Sequence, residues 1–242
     1  MAPHGGRSTN TTAVIWDFDG TLVDTLEKNL NVTRRIVAEM TGEPVGRYPM
    51  LETLEAYRAA VGRAENWRSV YRRELGFDDP DIDRAGSLWG PFQLADETPV
   101  TLFDGIAELV GGLGHVPQGV VSQNSLRYIA DVLATAGLGR YFRHIVGYEE
   151  VPAAQQKPAP DGLLACIEAL TGLAPGRVFY VGDHETDIRC AFAAQAELDR
   201  RDVAVEIVAV GVEFGGYRTE WAVAPHCAVR VPGELLDVIQ SG

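Results

Sequence analysis

Two carboxylates stand at the end of the first apolar run of the chain. Asp17 and Asp19 follow residues 13–16, and as alternate residues of an extended segment they point to the same side. Gly20 comes soon after and permits a tight turn. Such a pair of acids can hold a divalent cation or exchange protons with a ligand. An acidic turn that caps the following helix is the alternative, and these residues alone leave it open.

The elements that position these acids follow from the alternation of apolar runs and helical patterns. Such an alternation predicts an α/β fold with a doubly wound parallel sheet. Ligands of such sheets bind beyond the carboxyl ends of the strands, where Asp17, Ser122 and Asp183 stand. The predicted strands are 13–16, 119–121, 144–147, 178–181 and 205–212.

Four short segments occur in a fixed order along these strand ends: DFDGTLVDT from Asp17, VVS ending at Ser122, KPAP from Lys157, and GDHETD from Gly182. In this order they resemble the motifs of the haloacid dehalogenase (HAD) superfamily of phosphohydrolases, and the resemblance spans about residues 13–212. It implies a HAD-like Rossmannoid core. Within the superfamily the chain looks most like the C1-capped, phosphoglycolate-phosphatase-like branch.

The resemblance implies a role for each motif residue. Asp17 would be the nucleophile that forms an aspartyl-phosphate, and Asp19 would protonate the leaving oxygen and then activate water. Ser122 would donate a hydrogen bond to the phosphoryl group, and Lys157 would neutralise its charge. Asp187 would orient Lys157 or a metal-bound water.

The second motif departs from the family pattern. The family often has an asparagine directly after the motif serine, whereas here Gln123 intervenes and Asn124 follows. Asn124 is therefore the candidate phosphate-binding amide. The acid at position 19 distinguishes two reactions within the superfamily. Members that dehalogenate lack an acid there, so Asp19 favours phosphate-ester chemistry.

A magnesium ion is the expected cofactor. By resemblance, Asp17, the backbone carbonyl of Asp19 and Asp183 would hold it. Two carboxylates ~4 Å apart repel by about 4 kcal/mol at an effective dielectric of about 20, and Lys157 supplies a single compensating charge. Oxygen ligands with open positions suit Mg²⁺. A solvated acidic rim without a metal is the alternative.

A long helical segment interrupts the alternation. Residues 25–97 show helical patterns without a good strand and are too long for a loop of a compact domain. They predict an inserted helical subdomain that resembles a C1 cap, while residues 13–24 and 98–242 form the core. Arg63 and Arg68 of the insert are candidate contacts to a substrate carboxylate or second phosphate. Exposed helix arginines without such a role are the alternative.

Composition excludes several classes of partner. The 242 residues contain 34 acids and 21 bases, a net charge of −13, which argues against nucleic-acid binding and against anionic membranes. The three cysteines are far apart, which favours a reducing compartment. Residues 1–12 predict a disordered polar tail that lacks the apolar stretch of a signal peptide. A cytoplasmic protein is therefore expected.

The predicted function is the Mg²⁺-dependent hydrolysis of a small phosphorylated metabolite, either phosphoglycolate-like or a sugar phosphate. Two alternatives stay open. One is a phosphotransferase of the β-phosphoglucomutase type, and the other is a catalytically idle HAD-fold protein with a binding or regulatory role, against which the intact motif residues argue. The expected assembly is a monomer or homodimer.

Overall fold

The computed structural model describes residues 10–215 and 221–241. Within them the chain forms two compact units. The first comprises the described residues up to Leu22 and from Leu102 onward, and the second comprises Val23–Thr101. The second unit therefore begins earlier and ends later than the segment 25–97 expected from the sequence.

The first strand also begins earlier than the sequence predicts. Residues 1–9 of the expected tail lie outside the described residues, but Thr11 and Thr12 already belong to the strand. The hydroxyl of Thr12 donates to the carbonyl oxygen of Arg177 at 3.1 Å. The ordered core thus starts before residue 13, because a neighbouring strand supplies partners for these residues.

The described residues contain eight strands, which are, in chain order, β1 (Thr11–Trp16), β2 (Val23–Asp24), β3 (Thr101–Leu102), β4 (Gln118–Val121), β5 (Phe142–Val146), β6 (Gly176–Gly182), β7 (Val205–Val212) and β8 (Cys227–Val229). The α-helices of the same residues are α1 (Leu26–Thr41), α2 (Leu54–Gly62), α3 (Trp67–Val70), α4 (Asp79–Ala95), α5 (Ile106–Gly112), α6 (Leu126–Thr135), α7 (Asp161–Thr171), α8 (Glu185–Arg200) and α9 (Pro232–Ser241). None of these helices is both long enough and apolar enough to cross a bilayer.

Six of the strands form one parallel sheet in the order β5-β4-β1-β6-β7-β8. The predicted doubly wound α/β fold is confirmed, and each of the five predicted strands is present. From β1 the chain first builds outward through β4 and β5, then returns to the other side of β1 with β6. The order reverses there, so a crevice opens at the carboxyl ends of β1 and β6.

The central strands are apolar because both faces of the sheet are covered. All four residues of β4 are buried, as are the last four of β1. On one face, Ile15 and Tyr180 of the strands share a core with Leu163 of α7 and Ile188 of α8, and each is fully buried. Rigid packing of these central strands fixes the positions of the residues that follow them.

The chain leaves the first unit and returns to it at neighbouring points. The backbone N–H of Phe103 donates to the carbonyl oxygen of Leu22 at 3.2 Å. Next to this bond, β2 pairs with β3 in a two-stranded sheet. The two chain segments that connect the units therefore lie side by side.

The second unit is helical, and α1 and α4 form its main contact. Lys28 of α1 is 5% exposed and donates to the backbone oxygen of Asp96, just after α4, at 2.5 Å. Its ammonium also lies 3.6 Å from the Asp96 carboxylate. Asn31 donates to the hydroxyl of Thr98 at 3.0 Å. These polar contacts join the start of the first helix to the end of the last.

Candidate active site

Three of the predicted site residues directly follow strands of the parallel sheet. Asp17 follows β1, Ser122 follows β4 and Asp183 follows β6. Backbone bonds between strands continue to these residues, since Asp17 N donates to Val181 O at 2.7 Å and Ser122 N donates to Val146 O at 3.0 Å. The backbone of the parallel sheet therefore positions these side chains, at the edge where the strand order reverses.

The turn after Asp17 presses against Asp183. Gly20 has a φ of +81°, and a Cβ built on it would lie 2.2 Å from Asp183 Oδ2. Glycine is required there for both its conformation and its lack of a side chain. The buried hydroxyl of Thr21 lies 3.4 Å from Asp17 Oδ2 and 3.5 Å from Asp183 Oδ1. The turn thus holds the two acids close together.

Asp17, Asp183 and Asp187 form an acidic cluster in which one carboxylate oxygen from each residue lies within 4.8 Å of the others. Burial raises the pKa of Asp17 to about 7, against the lowering influence of Lys157. Burial likewise raises the pKa of Asp183, and the charge of Asp17 adds to the rise. Negative charge is therefore crowded at this crevice beyond what a single lysine offsets.

Lys157 lies between two of these acids. Its ammonium donates to Asp17 Oδ1 at 2.5 Å and to Asp187 Oδ1 at 2.6 Å, and all three side chains are buried. Burial alone lowers the pKa of Lys157, but the carboxylates of Asp17 and then Asp187 outweigh it and raise the pKa above its usual value. The lysine is therefore a fixed cation.

Asp187 is held by three donors. Besides Lys157, the hydroxyl of Tyr180 donates to Oδ1 at 3.2 Å, and the backbone N–H of His184 donates to Oδ2 at 3.1 Å. The last bond is half of a capping box at the start of α8, where the His184 ring accepts from the N–H of Thr186. Of the two roles left open for Asp187, the observed contacts favour the orientation of Lys157.

Asn124 contacts Asp19, an arrangement that the sequence does not predict. Its side-chain amide donates to Asp19 Oδ1 at 3.2 Å and Oδ2 at 3.0 Å. Its backbone N–H donates to the hydroxyl of Ser122 at 3.1 Å. Gln123, the inserted residue of the second motif, donates from its amide to the backbone oxygen of Lys157 at 3.1 Å. Sequence reasoning missed this contact, because Gln123 reaches a loop 34 residues away.

Arg63 and Arg68 belong to the second unit and have acidic partners there. Arg63 lies 3.7 Å from the carboxylate of Glu74. Arg68 lies 2.5 Å from the carboxylate of Asp83, and its guanidinium stacks over the ring of Trp67 at 5.2 Å. Neither arginine belongs to the acidic cluster, and their proposed contact with a substrate stays a prediction.

The fold and the site together define a doubly wound α/β protein with an acidic, lysine-containing centre at the strand reversal and a helical insertion after the first strand. The model of the haloacid dehalogenase-like hydrolase family matches residues 14–198. The chain therefore belongs to this family, and the resemblance drawn from the four motifs is confirmed.

Two curated relatives carry the name phosphoglycolate phosphatase. The protein of Escherichia coli (strain K12) is 34% identical over 198 residues, which cover 75% of this chain and 77% of the relative. The protein of Pseudomonas putida is 27% identical over 190 residues, which cover 75% of this chain and 65% of the relative. The match thus spans less than two thirds of the length of the Pseudomonas protein.

Solved structures share the fold at low identity. A crystal structure from Lactobacillus plantarum has a TM-score of 0.74 at 18% identity, covering 95% of this chain and 100% of the other. A haloacid dehalogenase-like family hydrolase from Streptococcus pneumoniae has a TM-score of 0.67 at 18% identity, covering 95% and 99%. These likenesses show that the fold is shared over 95% of this chain.

Proposed function

We propose that the protein is a Mg²⁺-dependent phosphatase that hydrolyses a small phosphorylated metabolite through an aspartyl-phosphate on Asp17. The observation that carries the proposal is the contact of Lys157 with Asp17 at 2.5 Å inside the acidic cluster. A buried carboxylate beside a fixed cation can attack a phosphorus atom whose oxygens that cation stabilises.

The residues present fit a divalent cation. Burial raises the pKa values of Asp17 and Asp183, and the charges of Asp187 at Asp17 and of Asp17 at Asp183 add to the rise, so their ionised forms lack sufficient compensation. We assign Asp17, Asp183 and the backbone carbonyl of Asp19 as the oxygen ligands. Asp187 stays with Lys157, because its oxygens already accept three donors. A bound Mg²⁺ would offset the negative charge of the acids and of the phosphoryl oxygens.

The proposed reaction has two displacements. A carboxylate oxygen of Asp17 attacks phosphorus, the bond from phosphorus to the ester oxygen breaks, and Asp19 gives its proton to that oxygen. Asp19 then takes a proton from water, whose oxygen attacks the phosphorus and releases Asp17 and inorganic phosphate. Lys157 and the hydroxyl of Ser122 stabilise the phosphoryl oxygens in both steps.

Asn124 is proposed to act at the same step as Asp19. Its amide contacts both carboxylate oxygens, so it restricts the orientation of the acid–base residue. The expected contact of Asn124 with phosphate remains a separate prediction, and the two roles have different kinetic signatures.

The substrate is proposed to be phosphoglycolate or a sugar phosphate. The names of the curated relatives support the first, and the arginines of the second unit suit an additional anionic group. The second unit is proposed to be the cap that excludes water and carries Arg63 and Arg68 as substrate contacts. We expect the enzyme to act in the cytoplasm, as a monomer or homodimer.

A phosphometabolite panel tests the function. Purified protein is assayed for phosphate release from 2-phosphoglycolate, hexose phosphates and nucleotides, with Mg²⁺ and with a chelator. We expect Mg²⁺-dependent release that falls by at least about 10⁴-fold in Asp17→Asn, because the nucleophile is lost. Asp131→Asn is the matched control, since Asp131 is an exposed acid of α6 whose carboxylate lies 3.8 Å from Arg127.

Three results contradict parts of the proposal. Absence of phosphate release from every ester contradicts the phosphatase and favours the idle binding protein. Transfer of phosphate to a sugar when a bisphosphorylated sugar is added favours the phosphotransferase. Full activity of Asp17→Asn contradicts the assignment of Asp17 as the nucleophile.

A further inference from the structure

We propose that Tyr180 is a positioning residue of the active site, which orients Lys157 through Asp187. The inference rests on the proposed phosphatase function and adds a residue that the four motifs do not include. Tyr180 lies in β6, three residues before Asp183, and is fully buried. From the sequence it is one aromatic residue of an apolar strand, with no sign of a polar role.

The side chain of Tyr180 contacts both members of the Lys157–Asp187 pair. Its hydroxyl is 3.2 Å from Asp187 Oδ1, the same oxygen that Lys157 approaches to 2.6 Å. Its ring lies below the ammonium of Lys157, with 5.9 Å between Nζ and the ring centre. A cation at this distance over an aromatic face is attracted to it. One side chain thus borders the lysine and its orienting carboxylate.

The hydroxyl has two acceptors within reach, and the carboxylate is the stronger. Val121 O lies 3.5 Å away, at the limit of a hydrogen bond, whereas Asp187 Oδ1 is closer and charged. Bonds to a charged acceptor are stronger than neutral ones. Burial, with the negative charge of Asp187, raises the pKa of Tyr180 well above its usual value. The hydroxyl therefore keeps its proton and remains a donor.

The function of this bond follows from the geometry of Asp187. Its carboxylate is fixed from one side by the His184 N–H at the start of α8 and from the other by the Tyr180 hydroxyl. Removing the hydroxyl leaves Oδ1 with Lys157 as its remaining donor, so the carboxylate gains freedom to rotate and to carry the ammonium with it. Lys157 would then meet the phosphoryl oxygens less often in the productive orientation.

The test is a double-mutant cycle on the wild type, Tyr180→Phe, Asp187→Asn and the double variant. Phenylalanine keeps the ring and the packing and removes the hydroxyl. We expect Tyr180→Phe to lower kcat/KM about tenfold, the size of loss that follows removal of an outer orienting partner at metal sites. The variant should also show weaker competitive inhibition by inorganic phosphate. In the Asp187→Asn background the same change should cost less than about twofold, because the carboxylate that transmits the effect is absent.

Controls separate positioning from general stability. Tyr141→Phe removes the hydroxyl of a tyrosine that contacts Arg140 outside the site, and its kcat/KM should match the wild type. Thermal unfolding of each variant reports folding. Tyr180→Leu also removes the ring, and should lower kcat/KM further than Tyr180→Phe.

The outcomes are distinct. Wild-type kcat/KM in Tyr180→Phe overturns the role of Tyr180, and so does a full tenfold loss in the Asp187→Asn background, which would indicate an effect independent of Asp187. A wild type that releases no phosphate from any ester overturns the proposed function and this role with it. An active wild type with strongly non-additive losses supports both.

Discussion

Each unit of the protein buries one of its two lysines, and the two are held by different partners. Lys28 of the second unit donates to a backbone oxygen of Asp96, with the carboxylate of the same residue at 3.6 Å. Lys157 of the first unit meets the carboxylates of Asp17 and Asp187 at 2.5 and 2.6 Å. Both lysines are less than a tenth exposed.

The difference lies in the grouping of acids around Lys157. In the second unit, Lys28 contacts the backbone oxygen and the carboxylate of Asp96, and these contacts join α1 to the end of α4. In the first unit, Lys157 lies within a cluster of three acids, so negative charge remains uncompensated. Burial of a lysine therefore does not distinguish a functional site here. The proposal instead rests on the clustered acids around Lys157, because a ligand of positive charge would offset their excess of negative charge.

Replacement of Asp19, the proposed acid–base residue of the first unit, has the largest expected effect of the variants that follow. Asp19→Asn should lower kcat by about 10²–10⁴-fold, because asparagine cannot exchange the proton. Mg²⁺ binding, measured by calorimetry, should persist, since the proposed ligand at this position is the backbone carbonyl. Unchanged turnover would contradict the acid–base assignment.

Removing the two lysines in turn tests the comparison directly. Lys157→Met should lower kcat/KM by about 10²–10³-fold, since it removes the fixed cation that the proposed mechanism assigns to the phosphoryl oxygens. Lys28→Met should keep kcat/KM within about twofold, while urea unfolding shows a loss of stability, because its ammonium bonds within the second unit. Equal losses of activity in the two variants would mean that the acidic cluster around Lys157 does not distinguish the two lysines.

Asn124→Ala should have a smaller effect and decides between two roles. If the amide orients Asp19, kcat should fall about tenfold with KM nearly unchanged. If it binds phosphate instead, KM should rise and the affinity for inorganic phosphate should fall. Steady-state kinetics with phosphate as inhibitor distinguishes these results.

The smallest expected effect concerns the pH dependence of the Lys28–Asp96 pair. Burial acts to raise the pKa of Asp96, but hydrogen bonds from Thr98 and the charge of Lys28 lower it below its usual value. A carboxyl with a lowered folded pKa stabilises the fold above its unfolded pKa, near 4, and this contribution is lost as the pH falls through the folded pKa.

The stability difference between the wild type and Lys28→Met should therefore be about 1–2 kcal/mol at pH 7 and shrink at pH 3. Urea unfolding at the two pH values measures it. A difference that grows on acidification would contradict the pairing.

The sequence was sufficient to predict the strand-end residues, for a physical reason. Asp17, Ser122 and Asp183 each follow an apolar run, and parallel pairing brings the carboxyl ends of such runs to one edge. The third motif, with Lys157, was expected at a strand end but lies in the loop between β5 and α7, and only the family resemblance placed it with the others.

Contacts made by loop side chains could not be predicted in this way. Asn124 reaches Asp19 across 105 residues of sequence, and Gln123 reaches the backbone of Lys157, because the loop after β4 meets the loops after β1 and β5 in space. The apolar pattern of β6 predicts that Tyr180 is a core residue, and its side chain is indeed fully buried. The pattern does not predict the hydrogen bond from its hydroxyl to Asp187. The strand β8 was also missed, since its three residues give too short a pattern.

The bond between Phe103 N and Leu22 O has a consequence for engineering. Because the polypeptide returns to where it departed, residues 23–101 form an insertion whose two ends are already side by side. A short turn could replace the whole insertion without stretching any strand of the six-stranded sheet, and a helical insertion from another protein could be grafted at the same place. The molecule thus offers a scaffold in which the helical insertion is an exchangeable module.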